Sequence, residues 1–200
     1  MISIIDYRAG NTASVSNALE RLGATYQITN DKAALEASDG IIFPGVGHAE
    51  SAMQALRDTG LHTWLQETTK PVLGICLGMQ LLYEFSEEGD TPTLGIVSGR
   101  LKKFDAARHK VPHMGWNTFK TLKSGAHPLL EGLRADDYFY YVHSYYAPVT
   151  AETLAASRYA GSDFACIVAR NNFAGVQFHP EKSGRAGSLL LRNFIASTSS

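Results

Sequence analysis

Apolar runs of strand length alternate with stretches of helical periodicity over the first 85 residues, and the alternation predicts an architecture. Residues 2–5 have the length and character of a buried strand; Val15, Ala18, Leu19 and Leu22 then recur at helical spacing, opened by Asn11 or Thr12 as cap and closed by Gly23. Residues 26–29 fit a second strand, 33–37 a short helix and 40–43 a third, fully apolar strand that runs into Pro44-Gly45-Val46-Gly47. Helical patterns at 49–57 and 61–67 lead to a fourth strand, 72–75, followed by Leu77, Met79, Gln80, Leu81, Leu82 and Phe85 in a helix pattern. Strands and helices in alternation argue for an α/β fold: a mostly parallel central sheet covered by helices on both faces, with sites at the carboxyl ends of the strands.

Beyond residue 89 the pattern changes. Residues 94–104, 117–122, 137–147, 153–159, 166–170 and 174–178 are strand candidates, and only 127–133 and 187–196 read as helices, so the second half is expected to be largely antiparallel. Two hundred residues without an interdomain linker or internal repeat fit one domain, 1–200.

Candidate chemistry sits where the fourth strand turns into a helix. Gly74 and Gly78 flank Cys76 with the Gly-x-nucleophile-x-Gly spacing of an elbow, a strained turn that aims the reactive atom away from the sheet. On that spacing alone Cys76 could equally be a small buried hydrophobe. A thiol nucleophile needs a base and a group to orient the base. His179 follows the apolar strand 174–178, so it too falls at a strand end, and in extended chain Glu181 lies on the same side as the imidazole. The His-Pro-Glu sequence could otherwise be a solvated surface turn. Oxyanion donors are available from the amide of Leu77 and from the Gly45-Val46-Gly47 turn at the end of the neighbouring strand. Gln80 lies one helical turn past Cys76, and Glu88, beyond that helix, could meet an ammonium group. His143 stands in an aromatic strand whose residues read mostly as core and cross-strand packing.

Composition narrows what such a site would act on. With 18 basic and 19 acidic residues the formal charge is −1, which offers no basic field for nucleic acid and suits a small neutral or zwitterionic substrate. The two cysteines, Cys76 and Cys166, are too few for a disulfide scaffold and have no zinc-type spacing, so neither metal nor cofactor is expected. The N-terminal residues lack the features of a signal peptide, and nowhere do 18 apolar residues follow one another. The expectation is a soluble, cytoplasmic chain with no membrane partner.

Gly74 to Gln80, the Pro44 to Gly47 turn and Phe178-His179-Pro180-Glu181 together resemble the triad-type (class I) glutamine amidotransferases, whose fold is flavodoxin-like. Within that class, Ile4-Ile5-Asp6-Tyr7 with Gly10-Asn11, Pro112-His113-Met114-Gly115-Trp116-Asn117, Val142-His143-Ser144-Tyr145 and residues 177–183 look like the family of glutaminase subunits of imidazole glycerol phosphate synthase, over essentially the whole chain. The resemblance implies hydrolysis of glutamine by Cys76, His179 and Glu181, with the ammonia passed to a separate cyclase subunit built as a (β/α)8 barrel, in a heterodimer of histidine biosynthesis. It also implies an oxyanion hole from Gly45, Val46, Gly47 and Leu77, substrate binding by Gln80, Glu88 and the backbone of His143, Ser144 and Tyr145, and a partner face with Asn11, Trp116, Asn117, Tyr140 and Lys182. One departure stands out: Arg8 occupies a position where the family usually has glycine.

Three other readings compete. The glutaminase component of another biosynthetic complex would share the triad. A cysteine peptidase or a glyoxalase-like enzyme would share the elbow but need neither Gln80 nor the 143–145 cradle. A binding module with a degenerate site would not need Cys76, His179 and Glu181 intact.

Overall fold

A computed structural model describes residues 1–7, 10–107 and 109–198, so Arg8 lies outside the described residues. In chain order the elements are β1 (Ile2–Ile5), α1 (Thr12–Arg21), β2 (Tyr26–Thr29), α2 (Lys32–Glu36), β3 (Gly40–Gly45), α3 (Ala49–Asp58), α4 (Leu61–Glu67), β4 (Val72–Cys76) and α5 (Leu77–Leu81). There follow β5 (Phe85–Ser86), β6 (Thr91–Pro92), β7 (Arg100–Lys103), β8 (His113–Asn117), β9 (Thr121–Leu122), β10 (Phe139–His143), β11 (Tyr145–Tyr146), β12 (Thr153–Tyr159), β13 (Ser162–Arg170), β14 (Phe173–Val176) and α6 (Gly184–Ser197).

The main sheet has the order β2-β1-β3-β4-β14-β13-β12-β9. Strands β2, β1, β3, β4 and β14 pair in parallel, and β13, β12 and β9 continue the sheet antiparallel. The strand pleat sorts side chains between two cores. Ile2, Ile4, Ile42, Leu73 and Ile75 pack on one face with Val15 and Leu19 of α1 and Leu190, Leu191 and Phe194 of α6. Ile5, Ile41, Phe43 and Val72 point the other way, against α3, α4 and α5 through Met53, Leu56, Leu65 and Met79. Helices thus cover both faces, as the βα alternation requires. Asn11 caps α1 by accepting from Ser14 N at 3.3 Å.

Several expected elements differ. The strand expected over 94–104 is reduced to β7, because residues 94–97 instead hydrogen-bond as a loop to Leu81, Leu82 and Tyr83. The helix after the elbow stops at Leu81, and Phe85 begins a short strand paired with β6 and β7. The helix expected over 127–133 is a single 3-10 turn, Pro128–Leu130, opened by His127 as cap. The strand expected over 117–122 splits between β8 and β9, and that expected over 137–147 between β10 and β11. Strands β8 and β10 form a ribbon of their own, outside the main sheet.

Candidate active site

Strand β4 lies between β3 and β14 and ends at Cys76, whose φ of 54° and ψ of −111° belong to a conformation that side chains rarely adopt. Such a residue stores on the order of 1–3 kcal/mol of strain and persists only where its surroundings hold it. Here they do so by close approach. A β-carbon at Gly78 would collide with the Phe43 carbonyl, and one at Gly74 would lie 2.8 Å from the Gly78 backbone. At Gly45, which pairs with Cys76 across the sheet, it would lie 2.5 Å from Gly78 N and 2.8 Å from the buried Tyr7 hydroxyl. Only glycine lets α5 start this close to β3 and β4.

Strand β14, parallel to β4, carries the chain to His179 at the same end of the sheet. Pro180 opens a 3-10 turn, Pro180–Lys182, that brings Glu181 Oε1 to 2.8 Å from His179 Nδ1, with both side chains buried. The turn is fastened to β10: His179 N donates to Tyr140 O at 2.9 Å, and Ser183 Oγ accepts from Tyr140 N and donates to His179 O. Burial disfavours the imidazolium of His179, but interactions with Cys76 and Glu181 outweigh it and push its pKa up to about 10. Cys76 lies near enough to act on the ring, yet His179 Nε2 and Glu181 Oε2 have no hydrogen-bond partner among the described residues.

A cavity of about 200 Å³ opens over the sulfur, lined by Val46, Gly47, Cys76, Leu77, Gln80, Glu88, Val142, His143 and His179. The expected residues gather here with few exceptions. Gly45 sits just behind the lining, and Ser144 and Tyr145 are not part of it. The Tyr145 carbonyl accepts from Gln80 Nε2 at 2.9 Å and bonds His143 Nδ1 at 2.8 Å, so Gln80 spends its amide on the protein. Glu88 accepts from Ala49 N at 2.8 Å, which ties the start of α3, just past the Gly47 turn, to the cavity rim. His143 is joined to His113 by a ring-to-ring hydrogen bond of 3.0 Å across the β8–β10 pair. Burial above all holds both imidazoles neutral, His113 at about 4 and His143 at about 3.

The sulfur's own contacts come from two residues to which the sequence reading gave no role, Val142 O and Gln177 Nε2, each 3.8 Å from Sγ. Gln177 lies two residues before His179, and the alternation of extended chain that singles out Glu181 applies equally to it. Val142 acts through its carbonyl, for which side-chain identity carries no signal. Cys166 is enclosed between strands, and burial pushes its thiol up to about 12, so it belongs to the core. Among the described residues no group of three or more His, Cys, Asp or Glu could hold a metal ion.

The expected partner-face residues cluster around one end of this region. Trp116 is exposed and meets Tyr140 edge-to-face at 5.9 Å, and Lys182 is exposed on the His179 turn. Asn11 heads α1, which packs against that turn, while Asn117 donates to Arg158 O at 3.0 Å.

A cysteine elbow in a mostly parallel sheet, with a histidine–glutamate pair at the end of the next strand, defines a class of enzyme, and residues 3–197 match the family model "Glutamine amidotransferase class-I". A putative GMP synthase component from Thermoplasma acidophilum has the same fold, with a TM-score of 0.74 at 21% identity over 99% of this chain and 93% of that one. The chain is 48% identical over 196 residues to imidazole glycerol phosphate synthase subunit HisH of Bacteroides fragilis (strain YCH46), covering 97% of this chain and 98% of the relative. It is 46% identical over 194 residues to the HisH subunit of Pasteurella multocida (strain Pm70), covering 97% and 96%. The chain belongs to the HisH family of class-I glutamine amidotransferases and is an enzyme of that kind.

Proposed function

We propose that residues 1–200 form one amidotransferase domain that hydrolyses L-glutamine through an acyl-enzyme on Cys76 and delivers the ammonia to the (β/α)8-barrel cyclase subunit of imidazole glycerol phosphate synthase. The observation that carries this reading is the single cavity shared by Cys76, His179, Gln80 and Glu88, with Glu181 behind the imidazole. His179 Nε2 takes up the Sγ proton to give a thiolate–imidazolium pair, which its raised pKa favours, and the sulfur then bonds to the side-chain carbonyl carbon of glutamine. The oxyanion that forms is met by the Leu77 amide and by the Gly45-Val46-Gly47 turn. As the C–N bond breaks, His179 returns the proton to the leaving nitrogen, which departs as ammonia. The base then draws a proton from water, which attacks the thioester and frees glutamate and the thiol. Glu181 holds the imidazole in the tautomer that leaves Nε2 facing the sulfur. The substrate's ammonium group is held by Glu88 with Gln80, and its carboxylate by the backbone of residues 143–145.

At rest Sγ has Val142 O and Gln177 as hydrogen-bond partners while His179 Nε2 has none, which supports a site that waits for its partner. The partner face comprises Asn11, Trp116, Asn117, Tyr140 and Lys182 in a heterodimer. The cyclase converts a phosphoribulosyl aminoimidazole carboxamide compound to imidazole glycerol phosphate and the carboxamide ribotide, in histidine biosynthesis in the cytoplasm. No described helix is long and apolar enough to cross a membrane.

The test is Cys76→Ala in the reconstituted complex. Synthesis from glutamine is expected to disappear while synthesis from added ammonium salts continues at the wild-type rate; loss of both would refute the division of labour.

A further inference from the structure

One buried polar side chain beside the nucleophile takes no part in these proton transfers. Gln177 is fully enclosed where β14 leaves the sheet, its backbone N–H donating to Cys166 O at 3.0 Å. Its side chain spans two groups: Oε1 is 2.9 Å from Gln80 Nε2, and Nε2 is 3.8 Å from Cys76 Sγ. The direction of these bonds is forced. Gln80 Nε2 also lies 2.9 Å from the carbonyl of Tyr145, which can only accept, so the amide end of Gln80 is a donor to both neighbours. Gln177 must therefore turn its oxygen to Gln80 and its N–H to the sulfur. On the sulfur's other contact, Val142 O can likewise only accept. Sγ accepts a hydrogen bond from Gln177 Nε2 and, when it carries a proton, donates one to Val142 O.

We propose that Gln177 is a positioning residue for the glutaminase reaction: its side-chain N–H donates to the Cys76 sulfur and, through Gln80, ties the nucleophile to the Tyr145 backbone. The inference rests on Cys76 being the nucleophile. A neutral N–H donor binds charged sulfur more strongly than a thiol, so the contact tightens as the proton leaves for His179 and slackens once sulfur is committed to the thioester. The other end of the chain lies beside the segment that the substrate carboxylate is proposed to grip. Gln177, Gln80 and the Tyr145 carbonyl thus set the distance between that grip and the attacking atom, and an unmade bond within this enclosed set is costly.

Two variants separate the donor from the filling. Gln177→Glu keeps the acceptor for Gln80 but faces the sulfur with an oxygen, and Gln177→Met keeps the length with neither group. In the complex with the cyclase, both are expected to lower glutamine-dependent kcat by about 10- to 100-fold, the size of a lost hydrogen bond to a charged atom, with KM within about threefold. Alkylation of Cys76 by iodoacetamide should slow in step, and synthesis from ammonium salts should stay at the wild-type rate. Either of two results overturns the proposal: unchanged kcat and alkylation, or a fall in kcat matched by lower thermal stability and lower ammonium-dependent synthesis, which marks a purely structural role. If Gln177→Glu does not fold, the neutral Gln177→Met decides. Cys76→Ala run alongside keeps the two readings apart: if it still makes product from glutamine, the nucleophile assignment fails. If it is inactive while the Gln177 variants run at full rate, only the positioning role fails.

Discussion

Protonation at single residues pulls the stability of this protein in two directions. His113 and His143 are held neutral when folded, at about 4 and about 3, against 6.5 for a free histidine. Below 6.5 the unfolded chain binds more protons than the folded one, so their contribution to stability is complete above 6.5 and declines as pH falls toward those lower values. His179 has the opposite sign. Its pKa is raised, so what it gains from Cys76 and Glu181 is present below 6.5 and fades as pH rises through about 10. His113→Gln removes one titrating ring. It should flatten the loss of stability between pH 6.5 and 4.5 by up to about 1.4 kcal/mol per pH unit, read from urea midpoints across that range. Parallel curves for the two proteins would show that His113 is not the group responsible.

At the scale of elements, the junction of β3, β4 and α5 is the tightest packing around the site. A methyl group at Gly78 has no space beside the Phe43 carbonyl, so Gly78→Ala is expected to cost about 1–3 kcal/mol or more and to lower the thermal unfolding midpoint by several degrees. Wild-type stability for that variant would mean that α5 can shift away from the sheet at no cost. This junction was legible in the sequence because backbone demands leave a mark in glycine: Gly74 and Gly78 announce the elbow without any view of the fold. The parallel half of the sheet was legible for a related reason, since buried strands such as 40–43 and 72–75 must be apolar throughout. The loop at residues 94–97 was not, because its backbone bonds go to Leu81, Leu82 and Tyr83, partners that no local pattern names. Within the site, Cys76, His179 and Glu181 could be read from spacing. Val142 could not, since it contributes only a carbonyl, and the His113–His143 bond depends on the β8–β10 register.

The whole molecule presents an apolar surface at the edge of the site. Met114, Trp116 and Tyr138 are 60%, 56% and 61% exposed, all on or beside the β8–β10 ribbon, and Lys182 sits on the turn fastened to it. Large side chains left open in such a cluster act as anchors when covered. Trp116→Ala is expected to weaken binding of the cyclase by about 2 kcal/mol, roughly 30-fold, by titration calorimetry, with no change in the unfolding midpoint of the free chain. Unaltered affinity would move the partner face elsewhere. The placing of β14 beside β4 carries a consequence for the order in which the protein is made. Cys76, the proposed nucleophile, is synthesised well before β14, the last strand of the sheet among the described residues, and His179, the proposed base, comes after that strand. A chain stopped before β14 has Cys76 but lacks His179, Glu181 and the strand that leads to them. The proposed nucleophile is therefore expected to have no base until synthesis has passed residue 181, and a chain stopped before β14 is expected to show no glutaminase activity.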